Sequence, residues 1–123
     1  MHPMRVFIAG IPGILSERLI ELVTKLDGCE IAGQSSSLHE VVKLIYEIKP
    51  DVVLLDSTWK EGNGLDVLQI ISRVSAKSKI IFMANFLYPQ LRKKSLEEGA
   101  DLFVCKSDAA EKIIEVLHDW RQG

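Results

Sequence analysis

Residues 50–68 read PDVVLLDSTWKEGNGLDVL, and the meaning of this stretch fixes the architecture of the chain. Val52, Val53, Leu54 and Leu55 are apolar on successive positions, between Pro50-Asp51 and Asp56. Four residues are too few for a helix, and an unbroken apolar run suits a strand covered on both faces, as in the centre of a parallel sheet. Asn63-Gly64 is turn chemistry, after which Leu65, Leu68 and Ile71 recur at helical spacing. The segment is therefore a strand, a loop and a helix, with a carboxylate delivered to the strand's carboxyl end.

The same alternation extends in both directions. Strands are expected at Val6 to Ala9, Glu30 to Gln34, Asp51 to Leu55, Lys79 to Met83 and Asp101 to Val104. A first helix carries Leu15, Leu19, Leu22, Val23 and Leu26 on one stripe and stops at Asp27-Gly28. A second opens on the capping-box spacing Ser37 to Glu40, buries Val41, Ile45 and Ile48, and ends at Pro50. The third follows Asn63-Gly64, the fourth starts at Pro89 and ends at Gly99, and the fifth starts near Asp108 with Ile113, Leu117 and Trp120 on one face. Five βα units with right-handed crossovers predict an α/β, flavodoxin-like (βα)5 three-layer sandwich: a five-stranded parallel sheet in the order 2-1-3-4-5. No linker, repeat or composition shift divides the chain, so residues 1–123 are expected to form one domain.

Composition narrows the function. The chain has 123 residues, 47% hydrophobic and 26% charged, with a formal net charge of -2. That balance supplies no basic excess for phosphate-backbone binding, so nucleic acid is not an expected partner. No apolar run approaches the roughly 20 residues a membrane helix needs, and no signal peptide is visible, so the expected location is cytoplasmic. Cys29 and Cys105 lack paired metal-ligand spacing, and His2, His39 and His118 are scattered singly.

In an open α/β sheet, ligands gather beyond the carboxyl ends of the strands. There this sequence places Gly10-Ile11-Pro12-Gly13, Asp56-Ser57-Thr58-Trp59, Met83-Ala84-Asn85 and Cys105-Lys106. Asp56, at the end of a rigid buried strand, is either a nucleophile or metal ligand, or the cap of the next turn. Lys106 is a solvated strand-end lysine or a counter-charge for Asp56. Trp59 either lies over the site or marks a partner contact. The glycines after the first strand lack the G-x-G-x-x-G spacing of a dinucleotide loop.

From Met4 to about Trp120 the chain resembles the receiver domain of two-component response regulators. Residues 50–68 resemble the family's third strand and loop, and EEGADLFVCK, Glu97 to Lys106, its fifth-strand signature. The resemblance implies a phosphoacceptor at Asp56, a phosphate-pairing lysine at Lys106 and switch positions at Phe103 and Met83. It implies a phosphorelay and protein-interaction module, not an enzyme with catalytic residues, partnered by a sensor histidine kinase or another signalling protein. It also suggests a homodimer through the face of the fourth helix, fifth strand and fifth helix, beside Arg92, Lys93 and Lys94.

The departures are chemical. Gly10 and Ile11 stand where the family has two acids that hold Mg²⁺, Met83 where a strand-end Thr or Ser is expected, and Ser107 where proline follows the lysine. One carboxylate and one lysine leave a neutral pocket in place of a net -2 one. Mg²⁺ wants near-octahedral oxygen coordination, so Asp56 alone is a poor metal ligand and Mg²⁺ binding is expected to be weak. The expectation is an atypical, stand-alone receiver that works chiefly through phosphate-independent contacts. The alternatives are a conventional Mg²⁺-dependent switch at Asp56 and, from another class, a small-ligand sensor. Acids placed at positions 10 and 11 are expected to restore a metal site.

Overall fold

The computed structural model describes residues 2–122. The chain runs β1 (Met4–Ala9), α1 (Gly13–Lys25), β2 (Cys29–Ser35), α2 (Leu38–Ile48), β3 (Val52–Asp56), β4 (Thr58–Trp59), β5 (Gly62–Asn63), α3 (Gly64–Val74), β6 (Lys79–Ala84), α4 (Pro89–Glu97), β7 (Leu102–Cys105) and α5 (Ala109–Gln122). Five strands form a parallel sheet in the order β2-β1-β3-β6-β7, which is the predicted order once the short β4–β5 pair is set aside.

Strand alternation divides the core into two layers. Phe7, Val53, Leu55, Ile80, Phe82 and Phe103 face α2, α3 and α4. Val6, Ile8, Leu54, Ile81, Met83 and Val104 face α1 and α5, where they meet Leu19, Val23, Ile113 and Leu117. Every residue of β3 is buried, as expected for a central strand covered on both sides. Each fully buried large side chain contributes about 1.5–3 kcal/mol, so the sheet interior is the main source of rigidity for whatever its carboxyl edge carries.

The helix starts follow their capping residues. The Ser37 side chain accepts from the Glu40 backbone N–H at 3.3 Å, and Asn63 accepts from Asp66 N–H at 3.0 Å. The capping box at Ser37 is half formed, because the Ser37 N–H donates to Ser35 Oγ instead of Glu40.

Two local readings are corrected. Residues 58–63 form a two-stranded antiparallel hairpin, Thr58 opposite Asn63 and Trp59 opposite Gly62, where the sequence suggested only a loop. In addition, β3, β6 and β7 each run one residue beyond their expected ends, to Asp56, Ala84 and Cys105, so that β6 closes on Ala84, not Met83. Asp56 pairs with Met83 in register, which keeps Met83 inside the ladder and its side chain in the α1/α5 layer.

Candidate phosphoacceptor site

Three strand ends are tied together at the carboxyl edge of the sheet. The Ser57 N–H donates to Met83 O at 2.8 Å and the Lys106 N–H to Ala84 O at 2.8 Å, so the residues following β3 and β7 are both anchored on β6. Asp56 ends β3 and is 0% exposed. Its Oδ1 accepts from the Thr58 N–H at 2.8 Å, and its Oδ2 lies 2.7 Å from Lys106 Nζ. The ammonium contact is close but not aligned as a hydrogen bond: among the described residues, Oδ2 is the one buried polar side-chain atom without a hydrogen-bond partner. Charge attraction in a low-dielectric surround holds it. The two residues singled out 50 positions apart in the sequence are thus brought into one ion pair, with the lysine side chain 20% exposed and the carboxylate fully enclosed.

Trp59 encloses it. This tryptophan, only 8% exposed, donates its indole N–H to the Asp56 carbonyl at 2.8 Å. Its six-membered ring lies against Gly10, which has φ +72°, and a Cβ at position 10 would sit 2.5 Å from Cε2 and 2.8 Å from Cη2 of the indole. Of the two readings of Trp59, the geometry selects the one over the site. The partner reading is set aside because the side chain is buried within its own chain. Ile11 is also buried, in the α1/α5 layer with Met83 and Val104. Where the sequence showed only two missing acids, the structure shows their space taken by an indole from 49 positions along the chain and by a core isoleucine.

The hairpin that carries Trp59 depends on a close backbone approach at Gly64. A Cβ there would meet Ser57 Cα at 2.5 Å and the Asp56 carbonyl oxygen at 2.7 Å. Gly64→Ala therefore displaces the acceptor of the indole N–H, and urea denaturation is expected to show a loss of about 1–3 kcal/mol. Unchanged stability would mean that the hairpin moves freely against α3.

The remaining residues fall into place around this centre. Phe103 is packed inward against Phe82, ring centroids 6.2 Å apart, so it is a buried layer residue in this conformation. Ala84, not Met83, is the last side chain of β6, and it too lacks a hydroxyl. Lys94 pairs with Glu98 at 3.1 Å, while Arg92 and Lys93 form an exposed face of α4. The Cys29 thiol is pushed up by burial, which outweighs the lowering effect of Arg121, so it is not an activated nucleophile. No helix among the described residues is long and apolar enough to cross a membrane.

Comparison with known proteins agrees with this geometry. The family model described as the response regulator receiver domain matches residues 14–118. The chain belongs to this receiver family. The matched stretch contains Asp56, Phe103 and Lys106 and begins after Gly10 and Ile11. The chemotaxis protein CheY of Thermotoga maritima is 29% identical over 114 residues, covering 93% of this chain and 94% of that protein. The response regulator protein VraR of Staphylococcus aureus is 22% identical over 94 residues; the match covers 76% of this chain and 45% of VraR, so the likeness is to about half of that protein. Among solved structures, the response regulator domain of Thermotoga maritima CheB superposes with a TM-score of 0.85 at 18% identity, covering 99% of this chain and 98% of that one.

The side chains of this receiver do not fit the divalent cation that its family implies. The Asp56 carboxylate has its Oδ1 turned to a backbone N–H and its Oδ2 to an ammonium. Position 10 offers no donor and faces an indole, and position 11 is apolar. Among the described residues, no group of three or more His, Cys, Asp or Glu side chains is placed to hold a metal.

Proposed function

We propose that this receiver works in two-component signalling as a protein-contact module whose pocket is held shut without a metal, by the Asp56–Lys106 ion pair under the Trp59 indole. The observation that supports this reading most is the seating of Trp59 on Gly10, which leaves no room for a side chain at position 10. Lys106 supplies the single positive charge that a phosphoryl group on Asp56 would meet. It already neutralises the carboxylate, so the unmodified pocket is electrostatically balanced. Histidine kinases and other signalling proteins are the partner class, reached through the outer surfaces of the domain and not through the closed pocket.

The test is intact-mass spectrometry after incubation with acetyl phosphate, with and without Mg²⁺, and with Asp56→Asn as control. Without a metal to neutralise and orient the transferring group, several kcal/mol of transition-state stabilisation are missing. No Mg²⁺-dependent adduct is expected on the time scale of a conventional receiver. A phosphoryl adduct that requires Mg²⁺ and disappears in Asp56→Asn would replace this reading with the conventional switch. The feature that favours the switch is the ion pair itself, which is the arrangement a phosphoaspartate would also use.

A further inference from the structure

Away from the Asp56 pocket, α2 and α3 leave a groove of about 530 Å³ between them. Its floor is apolar: Leu38, Val42 and Tyr46 repeat every four residues along α2, and Val67, Ile70 and Val74 line α3. Two of these are large and open to solvent, Tyr46 at 59% and Ile70 at 42% exposure. A helix pair that has already buried Val41, Ile45, Val67, Leu68 and Ile71 against the sheet thus leaves Val42, Tyr46, Ile70 and Val74 as a second apolar stripe on its outer side. Scattered exposed apolar residues are ordinary, but a concave, continuous stripe is the kind of surface that soluble proteins cover.

The charges on the rim are separated by wall. Lys43 stands on the α2 side, and Glu61 and Asp66 stand on the side of the hairpin and α3. Both helices follow parallel strands through right-handed crossovers, so they run in the same direction. A two-fold axis along the groove therefore lays α2 of one copy over α3 of the other, N-terminal half against N-terminal half. In that arrangement Lys43 of each copy lies on the side of the opposing Glu61 and Asp66, once at each symmetric site, and each Tyr46 on the side of the opposing Ile70. The surface is complementary to itself in charge and in apolar content.

We propose that the α2–α3 groove is a self-association surface that seats a second copy of this chain. The proposal is independent of the metal-free pocket and places the dimer on a different face from α4, β7 and α5. The groove and the pocket share one element, because the hairpin carries Trp59 on β4 and contributes Gly62 and Asn63 of β5 to the groove wall.

Sedimentation equilibrium on the full chain, from micromolar to submillimolar concentration, tests it. The wild type is expected to dimerise. Ile70→Glu is expected to raise the dissociation constant roughly thirtyfold to a hundredfold, and Lys43→Glu roughly tenfold, since each loss is counted at two symmetric sites. Both positions are exposed, so circular dichroism and thermal melts should match the wild type. Combining Lys43→Glu with Glu61→Lys, which leaves the Asn63–Asp66 cap of α3 intact, is expected to recover part of the affinity by reversing the pair. A chain that stays monomeric throughout would overturn the proposal. So would a dimer that is insensitive to Ile70→Glu but broken by Arg92→Glu on α4, or a reversed pair no tighter than Lys43→Glu alone.

Discussion

Gly10→Asp is expected to cost this domain about 2–5 kcal/mol, the sum of placing a side chain at a left-handed φ of +72° and forcing its Cβ into the Trp59 ring. Against a total stability of roughly 5–15 kcal/mol, that loss should be plain in a urea titration. The cause divides into two parts that a double-mutant cycle separates. Trp59→Ala alone should cost about 3–5 kcal/mol, from the emptied indole volume and the lost hydrogen bond to the Asp56 carbonyl. The combined variant Gly10→Asp/Trp59→Ala should cost less than the sum, by about 1–3 kcal/mol, because the new carboxylate enters space the indole has vacated. Additive losses would show that the two residues do not compete for one volume.

The same competition changes what restoring the acids should do. Acids at positions 10 and 11 alone are therefore not expected to recreate a metal site, because Trp59 still covers position 10. Thermal melts with and without Mg²⁺ should be superimposable for Gly10→Asp/Ile11→Asp. The triple variant that adds Trp59→Ala should gain melting temperature with added Mg²⁺, as any ligand that binds only the folded state produces. A Mg²⁺ shift in the variant that retains Trp59 would refute the volume argument.

How much of this could be read from the chain alone depends on how far each feature reaches in sequence. The run Val52–Leu55 and the helical stripes are local, and they place the five main strands; the order of those strands follows from the flavodoxin-like closure that right-handed crossovers favour. Asp56 and Lys106 are 50 positions apart, but each ends a strand, so topology alone brings them to one edge. Trp59 on Gly10 has no such signature. A two-residue strand has no period to detect, and the hairpin's register decides where its tryptophan lands. The end of β6 was placed one residue short because Ala84 is as compatible with a loop as with a strand, whereas pairing with Cys105 holds it in the ladder. The apolar stripe of the α2–α3 groove has no signature in the chain, because sequence spacing does not separate residues that face the sheet from those that face outward.

The second large effect concerns the asymmetry of the ion pair. Lys106→Met removes the ammonium from a carboxylate that has no route to water, and an uncompensated buried charge costs about 3–5 kcal/mol. Asp56→Asn leaves the opposite partner, whose side chain is 20% exposed on a flexible four-carbon stem and can carry its charge outward. The asparagine amide oxygen still accepts from the Thr58 N–H, so this variant should lose only about 1–2 kcal/mol. The double variant Asp56→Asn/Lys106→Met should then lie within about 1 kcal/mol of Asp56→Asn alone and be clearly more stable than Lys106→Met. Urea titrations of the three variants measure the order directly. If Lys106→Met proved as mild as Asp56→Asn, water would have to reach Asp56 past Trp59 or through the space the ammonium leaves on its 20% exposed side, and the pocket would not be sealed against water.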